Sequence, residues 1–427
     1  MNALRNVWRS LVARRPVFSD PATGWIVLLT IFAGSVLRIQ RVGYPFFFGF
    51  DEEQMVTAAR QFLEGVPDTG ECCHPPLSKV MISASILMLG DNPMAWRFPS
   101  LLLGLQSIVL VYLIGKSLFN DSRAGWLAAA FLAADGFAIA FSRDAFPEGM
   151  MTCFVLWSML AAITARGWAG VVTCAILVGL AGSIKWSGIQ VGLPACVAIL
   201  LLRRVPWYSI FAFALVPLVH LVVWMMGLSL IGHDSDPMSV VEEIRLRQSR
   251  HLGFVRFANP LESVWYTWFY IYKPIVLKAA SEAGRVRLAS SVSNVLLFFT
   301  SNLCLAGLPI LGAAYAFSDR VRQRFAAWFD EGQGKALLIL GVSWLSMMLL
   351  WFTGRISSYW YHYLTPYGFA VLLTAGVVSR LDRRHGKVVL GFVALLLLVF
   401  VYFAPVWGEL PISVQGAHRR LIFKRWQ

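Results

Sequence analysis

Residues 388–407 read VVLGFVALLLLVFVYFAPVW, twenty consecutive positions without a charged side chain. A helix needs about 20 predominantly apolar residues to cross the hydrocarbon core of a bilayer, so this run decides the class of the protein. Working outward from it, comparable apolar runs lie near Gly24–Leu37, Phe98–Gly115, Ala124–Phe141, Phe146–Ala165 and Trp168–Ser183. Others lie near Ile189–Leu202, Tyr208–Ile231, Val292–Phe317, Ala336–Phe352 and Tyr363–Val378. The expectation is an all-α polytopic membrane protein of about eleven transmembrane helices. Composition points the same way. Of the 427 residues, 58% are hydrophobic and 14% charged, against roughly 25% charged in soluble domains. A water-soluble globule and a disordered chain are excluded. The net charge of +14 then speaks of orientation and lipid phosphate rather than nucleic acid. With no internal repeat or flexible linker, residues 1–427 read as a single domain.

Charge placement sets the expected orientation. The run Leu77–Leu89 has 13 residues, with Lys79 near its start and Asp91 just beyond. It fits a helix lying in the interface better than one crossing it. Leaving it out, and placing the N-terminus in the cytoplasm, collects the basic clusters inside. These are Lys116 and Arg123; Arg166; Arg203 and Arg204; Arg320, Arg322, Arg324 and Lys335; and Arg380, Arg383, Arg384 and Lys387. The outer turns keep single cations, Arg143, Lys185 and Arg355. The C-terminus then lies outside, although its tail carries Arg419, Arg420, Lys424 and Arg425 against the trend. Arg5, Arg9, Arg14 and Arg15 precede the first run and no small-residue cleavage site follows, which reads as an uncleaved first span. The localisation expected is an integral membrane one, with the N-terminus cytoplasmic and the long loops outside. Cys153, Cys174, Cys196 and Cys304 sit in apolar runs as packing residues. Adjacent Cys72 and Cys73 have α-carbons about 3.8 Å apart, too close for an unstrained disulfide.

Two outer segments are long, Arg38–Arg97 and His233–Ser291, and the chemistry concentrates there. In the first, Phe50-Asp51-Glu52-Glu53-Gln54 leads into Met55, Val56, Ala59, Phe62 and Leu63 at helical spacing. This is a short amphipathic interfacial helix with acids in its first turn. The acids could serve as an N-cap and favour the helix dipole, or a carboxylate there could take a proton from an attacking hydroxyl. His74-Pro75-Pro76-Leu77-Ser78-Lys79 is either a rigid helix entry or part of a site, with Lys79 able to reach headgroups. Arg143, Lys185 and Arg355 stand at outer helix ends, where charge calls for a partner. A phosphate at headgroup level would serve, as would a neighbouring acid such as Asp144 or Glu148. In the second segment, Asn259-Pro260, Ser263, Trp265 and Trp268 could anchor the membrane interface or line a sugar or polyprenyl site.

Taken in order, these motifs resemble the protein O-mannosyltransferase family of GT-C membrane glycosyltransferases, and more distantly the lipid A aminoarabinose transferases. Asp51-Glu52 resembles the family's acidic pair, and His74-Pro75-Pro76-Leu77-Ser78-Lys79 its His-Pro-Pro-Leu-Gly-Lys element with Ser78 for Gly. Arg143 falls at the arginine of a Ser-Arg-x-x-x-x-Asp stretch, with Glu148 where Asp is usual. Lys185-Trp186-Ser187-Gly188 matches a Lys-Trp-(polar)-Gly turn. Asn259-Pro260 with Ser263 and Trp265 resembles a His-Pro-x-x-Ser-x-Trp element with Asn259 for His, and the stretch through Tyr361, His362 and Pro366 also matches.

The resemblance implies inverting transfer of a sugar, mannose first among candidates, from a polyprenyl-phosphate carrier to an acceptor hydroxyl on the extracytoplasmic face. The acceptor implied is protein Ser or Thr, with a lipid or glycan acceptor as the alternative. A non-enzymatic lipid or solute transporter is the rival from another class. Asp51 would be the base and Glu52 its companion. Arg143, Lys185, Arg355 and Lys79 would hold the donor phosphate. His74, Glu148, Trp186, Asn259, Trp265, Tyr361 and His362 would line the substrate site. Neither metal nor cofactor is expected.

Overall fold

A computed structural model describes residues 17–66, 73–253, 261–282, 284–328, 330–353, 358–421 and 426, with backbone alone at 251–253, 282 and 325–328. The chain enters through α1 (Pro21–Ile39), where the Asp20 side chain accepts from Ala22 N–H and Pro21 begins the helix. Proline costs nothing there, because its missing N–H would have had no partner. Two short helices of the first outer segment follow, α2 (Glu52–Glu64) and α3 (Leu77–Leu89). Next comes the long α4 (Pro93–Phe119), capped by Asn92 onto Met94 N–H and Ala95 N–H. α2 packs on α3, and α3 on α4, so the first outer segment rests on the bundle.

The apolar run 124–141 is not one helix. It breaks into α5 (Ser122–Ala133) and α6 (Gly136–Phe141), because Asp135 leaves the helix to cap Ala138 N–H. The same carboxylate accepts from Asn294 N–H, Tyr367 Oη and Ser293 Oγ, which ties two distant segments to the break. The bundle continues through α7 (Pro147–Thr164), α8 (Trp168–Ile184), a 3-10 turn at Trp186–Val191, and α9 (Gly192–Leu202). A second 3-10 turn, Trp207–Ala214, runs into α10 (Leu215–Leu230), and α11 (Pro237–Gly253) lies beyond it.

The second outer segment departs from expectation. After a 3-10 turn at Trp265–Tyr270 it forms a β-hairpin, β1 (Val276–Glu282) and β2 (Arg285–Ser290). β2 pairs in turn with β3 (Ile412–Ser413), close to the C-terminus. The order is β1-β2-β3, antiparallel throughout.

The remaining helices are α12 (Val295–Phe317), α13 (Asp319–Trp328), α14 (Glu331–Phe352), α15 (Leu364–Trp407) and, after β3, α16 (Val414–Arg420). The 44 residues of α15 would stretch about 66 Å at 1.5 Å per residue, twice the thickness of a bilayer core. The chain does not stay straight, and His385 is non-helical (φ −137°, ψ 51°). Tyr367 and Leu396 both reach the Asp135–Asn294 hub, from opposite sides of His385. The element therefore folds back on itself. At the His385 end of this hairpin Asp382 accepts from Ser19 N–H at 3.0 Å, and at the opposite end Gly408 O accepts from Gln40 Nε2 at 3.1 Å. α1 thus runs alongside the returning arm. Among the described residues seven helices are long and apolar enough by themselves to cross a membrane, and Leu77–Leu89, Trp168–Ile184 and Trp186–Leu202 are shorter apolar helices.

α12 packs along α15 but scarcely touches α14. Between α12 and α14 runs an apolar groove of about 1300 Å3. Its wall includes Leu303, Leu308, Leu338 and Leu345, and it ends at Phe269, Asn302 and Trp344.

Orientation is open to direct measurement. Ser239 on α11 and Gln323 on α13 belong to segments expected on opposite faces. A cysteine at Ser239 should react with an impermeant maleimide in sealed cells, and one at Gln323 should stay protected until the membrane is opened. The reverse pattern would invert the protein.

Candidate active site

The start of α2 distinguishes its two acids. Asp20, Asn92, Asp121, Asp135, Asn294 and Asp330 each precede a helix and each caps it with a side-chain oxygen. Asp51 precedes α2 and makes no side-chain cap bond. It sits in the left-handed region (φ 50°, ψ 0°), a conformation that costs a non-glycine residue energy unless its surroundings enforce it. Of the two readings of this acid, capping is absent. Glu52, one residue on, is fully buried. Its carboxylate takes Arg97 Nε and Nη2, both at 2.8 Å, Gly49 N–H at 2.8 Å and Ala145 N–H at 2.9 Å. Burial would raise its pKa, but Lys278 and the Arg97 hydrogen bond outweigh that and hold the group well below the usual carboxylate range. Glu52 therefore supports the loop, with its oxygens already engaged.

Arg143 does not join the lone cations expected at a phosphate. Its side chain is buried, Nη1 donates to Leu37 O, Arg38 O and Gln40 O at 2.7, 3.0 and 2.7 Å, and Nη2 lies 3.3 Å from Glu409 Oε1. Three carbonyls at the C-terminal end of α1 need donors, and the guanidinium supplies them. Arg143 is a tether between α1 and the α6–α7 turn. The neighbouring Asp144 is fully buried, with Lys278 Nζ 3.5 Å away. Burial first, and then Glu52, push its carboxyl well above the usual range.

Lys185 meets Glu148, the residue at the start of α7, in a buried ion pair. Its ammonium also lies 5.1 Å from the Tyr361 ring centroid, within cation–π range. His362 joins from the far side. Its Nδ1 accepts Tyr359 N–H at 3.1 Å, which in the neutral ring leaves the proton on Nε2, 3.9 Å from Glu148 Oε1. Trp351 stacks on this imidazole at 3.9 Å. Phe50, the residue before Asp51, packs against Phe146 and Tyr361, both at 6.1 Å. The entry to α2 is thereby seated against the Glu148–Lys185–His362 cluster. Trp186 donates to Cys73 O at 2.8 Å, and Lys79, fully buried, donates to His74 O at 3.2 Å. These contacts join the His-Pro-Pro turn to the Lys-Trp turn. Trp265 lies further out, against Phe352 at 4.7 Å. Its neighbour Ser263 exchanges hydrogen bonds with Ser358, which brings the second outer segment beside Tyr361. Arg355 and Asn259 lie outside the described residues, as does Cys72.

Comparisons with known proteins bear on the fold that holds this geometry. A family model described as dolichyl-phosphate-mannose-protein mannosyltransferase matches residues 73–228. The yeast protein O-mannosyltransferase Pmt1-Pmt2 complex bound to its sugar donor superposes with a TM-score of 0.78 at 11% identity, covering 96% of this chain and 93% of that one. The chain has the fold of a protein O-mannosyltransferase. A polyprenol-phosphate-mannose–protein mannosyltransferase of Mycobacterium tuberculosis is 30% identical over 206 residues. That match spans 40% of this chain and 39% of the length of the relative. A protein of the same name from Mycolicibacterium smegmatis is 23% identical, covering 96% of this chain and 94% of its own. The resemblance to protein O-mannosyltransferases read from the motifs is thus upheld.

Three members of this site escaped the sequence reading. Arg97, Lys278 and Glu409 are partners of Glu52, Asp144 and Arg143 across 45, 134 and 266 positions, and no local pattern announces such pairs. Asp144 was visible as an acid beside Arg143, but its partner is Lys278. A signal did exist for Arg97 and Lys278, since each is a charge next to an apolar run on the outer side.

The Glu52–Arg97 pair gives a stability test. Removing one partner of a buried pair commonly costs about 3–5 kcal/mol, because the other charge is left uncompensated. Arg97→Met should therefore lower unfolding free energy by about that amount at neutral pH, measured in detergent. The carboxylate has a depressed folded pKa, so its contribution is present above the ordinary value of 4.5 and is lost as pH falls through the folded value. The penalty should accordingly shrink in acid. Equal stability of the two proteins at pH 7 would count against the pair as the support of the loop.

Proposed function

We propose that this protein transfers mannose from a polyprenyl-phosphate donor to a serine or threonine hydroxyl of a protein on the extracytoplasmic face, in a single inverting displacement. The observation that carries the reading is Asp51, an acid held in the left-handed region at a helix start that it does not cap, directly after Phe50, whose ring packs against Tyr361 of the Lys185–Glu148–Tyr361–His362 cluster. The names of the mycobacterial relatives support the donor and the acceptor class.

In this reading the acceptor oxygen attacks the anomeric carbon from the face opposite the phosphate. Asp51 takes the hydroxyl proton as the new bond forms. The bond from the anomeric carbon to the phosphate oxygen breaks, and its electron pair leaves with the polyprenyl phosphate. Fixed cations stabilise that developing charge best when they need no rearrangement. Lys185 is assigned this role, Lys79 and Arg355 keep the donor-phosphate role that the motifs imply, and no metal or cofactor is invoked. Arg143 is reassigned to holding the loop. The aromatic wall of Tyr361 and Trp186 offers flat faces for a sugar, and His362 and Glu148 offer hydrogen-bonding groups.

The polyprenyl chain is assigned to the groove between α12 and α14. Its upper end adjoins the site through Trp344 Nε1, which donates to Tyr363 Oη at 3.2 Å, and through that hydroxyl, which donates to Asn302 Oδ1 at 2.7 Å. Tyr363 stands two residues from Tyr361.

Two variants separate binding from chemistry. A charge-assisted bond to phosphate is worth about 1.5–3 kcal/mol, so Lys185→Ala should weaken donor binding roughly tenfold or more. Asp51→Asn should leave donor binding within a factor of about two and slow single-turnover transfer by at least roughly 10²-fold. Near wild-type transfer by Asp51→Asn would remove it as the base. Incubating purified protein with polyprenyl-phosphate mannose and either peptides or lipid and glycan acceptors, read by mass spectrometry, tests the substrates. Transfer to lipid or glycan alone would move the acceptor class.

A further inference from the structure

Two consecutive residues of β1 reach out of their sheet toward the site. The register between β1 and β2 shifts between Val276 and Lys278. A bulge of this kind frees backbone groups from the ladder and re-aims a side chain. Leu277, inside the irregularity, gives its carbonyl to Phe50 N–H at 2.8 Å. Lys278 turns its side chain inward, where it is 2% exposed. Its ammonium donates to Arg143 O at 3.0 Å and lies 3.5 Å from Asp144 Oδ1 and 3.7 Å from Glu409 Oε1.

The segment 49–51 passes directly between these groups. A Cβ built on Gly49 would lie 2.9 Å from both carboxylate oxygens of Asp144 and from Lys278 Cε. Real Cβ contacts are essentially never that short, so any side chain at this position would have to push the ends of Asp144 and Lys278 aside. Gly49 and the 143–145 turn also share one acceptor, since Gly49 N–H and Ala145 N–H both donate to Glu52. The two loops that carry Asp51 and lead to Glu148 are thus joined below by Glu52 and above by β1.

We infer that Lys278 is a positioning residue: with the Leu277 carbonyl it locks the segment carrying Asp51 onto the 143–145 turn, and so sets where the Asp51 carboxylate stands relative to the Lys185–Glu148 pair. Lys278 touches neither donor nor acceptor in this assignment, and it acts through the loop. The inference rests on the reading of Asp51 as the base, but its physical content can be tested without that reading.

The experiment compares wild type, Lys278→Met and the double variant Lys278→Met/Asp144→Asn in the full-length protein. Methionine keeps much of the lysine's length without its charge. The double variant removes the buried carboxylate that the single change would strand, so it keeps the test available if Lys278→Met alone unfolds. The first readout is amide hydrogen exchange. Peptides covering residues 48–52 and 143–146 should exchange at least tenfold faster in both variants, while a peptide covering 185–191 keeps its wild-type rate. Unchanged exchange at 48–52 overturns the proposal whatever the protein's activity.

The second readout is transfer from polyprenyl-phosphate mannose. Single-turnover rate at saturating donor should fall at least tenfold in both variants, with donor affinity within twofold of wild type. A loss of donor affinity matching the loss of rate would make Lys278 a donor ligand instead. Full wild-type transfer by the double variant would reduce Lys278 to a neutraliser of Asp144. Either result overturns the assignment. If wild type itself transfers no mannose, the proposed function fails, and the exchange result still decides the role of Lys278.

Discussion

Glu52 and Arg97 meet at 2.8 Å with neither side chain exposed to solvent. Charge in such a place is expensive unless every oxygen and every N–H finds a partner, and here they do. The carboxylate adds two backbone amides from separate loops, and the guanidinium adds the carbonyls of Val42, Pro45 and Phe47. One ion pair thereby fixes the first outer segment, the start of α2 and the turn before α7 with respect to α4. The other buried charges extend the arrangement. Arg143 and Lys278 share Glu409, Lys278 also faces Asp144, and Arg143 reaches back to α1.

The separation of roles between adjacent acids follows from this. Glu52 is held ionised by its cations and is fully occupied. Asp51 is half-buried, off the helical path, and relieved of capping. A side chain already saturated with hydrogen bonds makes a poor proton acceptor, which is why the proposed base role falls to Asp51 and not to Glu52.

The class of fold was legible because a soluble protein has little use for apolar runs long enough to cross a bilayer. The interfacial helix at Asp51 was legible from its period, and the Lys185 and Glu148 turns from charges that stand alone on the outer side. The hairpin at 276–290 was not, because its strands mix lysine, glutamate and arginine with alanine and serine and carry no clean alternation. The break at Asp135 was also hidden, since the run reads as continuously apolar on both sides, and a single carboxylate decided it by bonding to residues more than 150 positions away. Arg143 shows the limit of reasoning from loneliness in sequence. A cation without a local partner can still have one at Glu409.

Glu409 stands just beyond the returning arm of α15, and Ile412–Ser413 close the sheet against β2. In order of synthesis these residues come after every other member of the buried charge network. Arg143 and Lys278 are already in the membrane-associated chain when the anion they share has yet to leave the ribosome. Until the last hairpin inserts, both cations face a site short of one negative charge, and the small sheet lacks its third strand. The platform under Asp51 is therefore completed only once the segment beyond the fold-back at His385 is in place, and a chain halted before it carries the motifs of the site without the means to hold them in register.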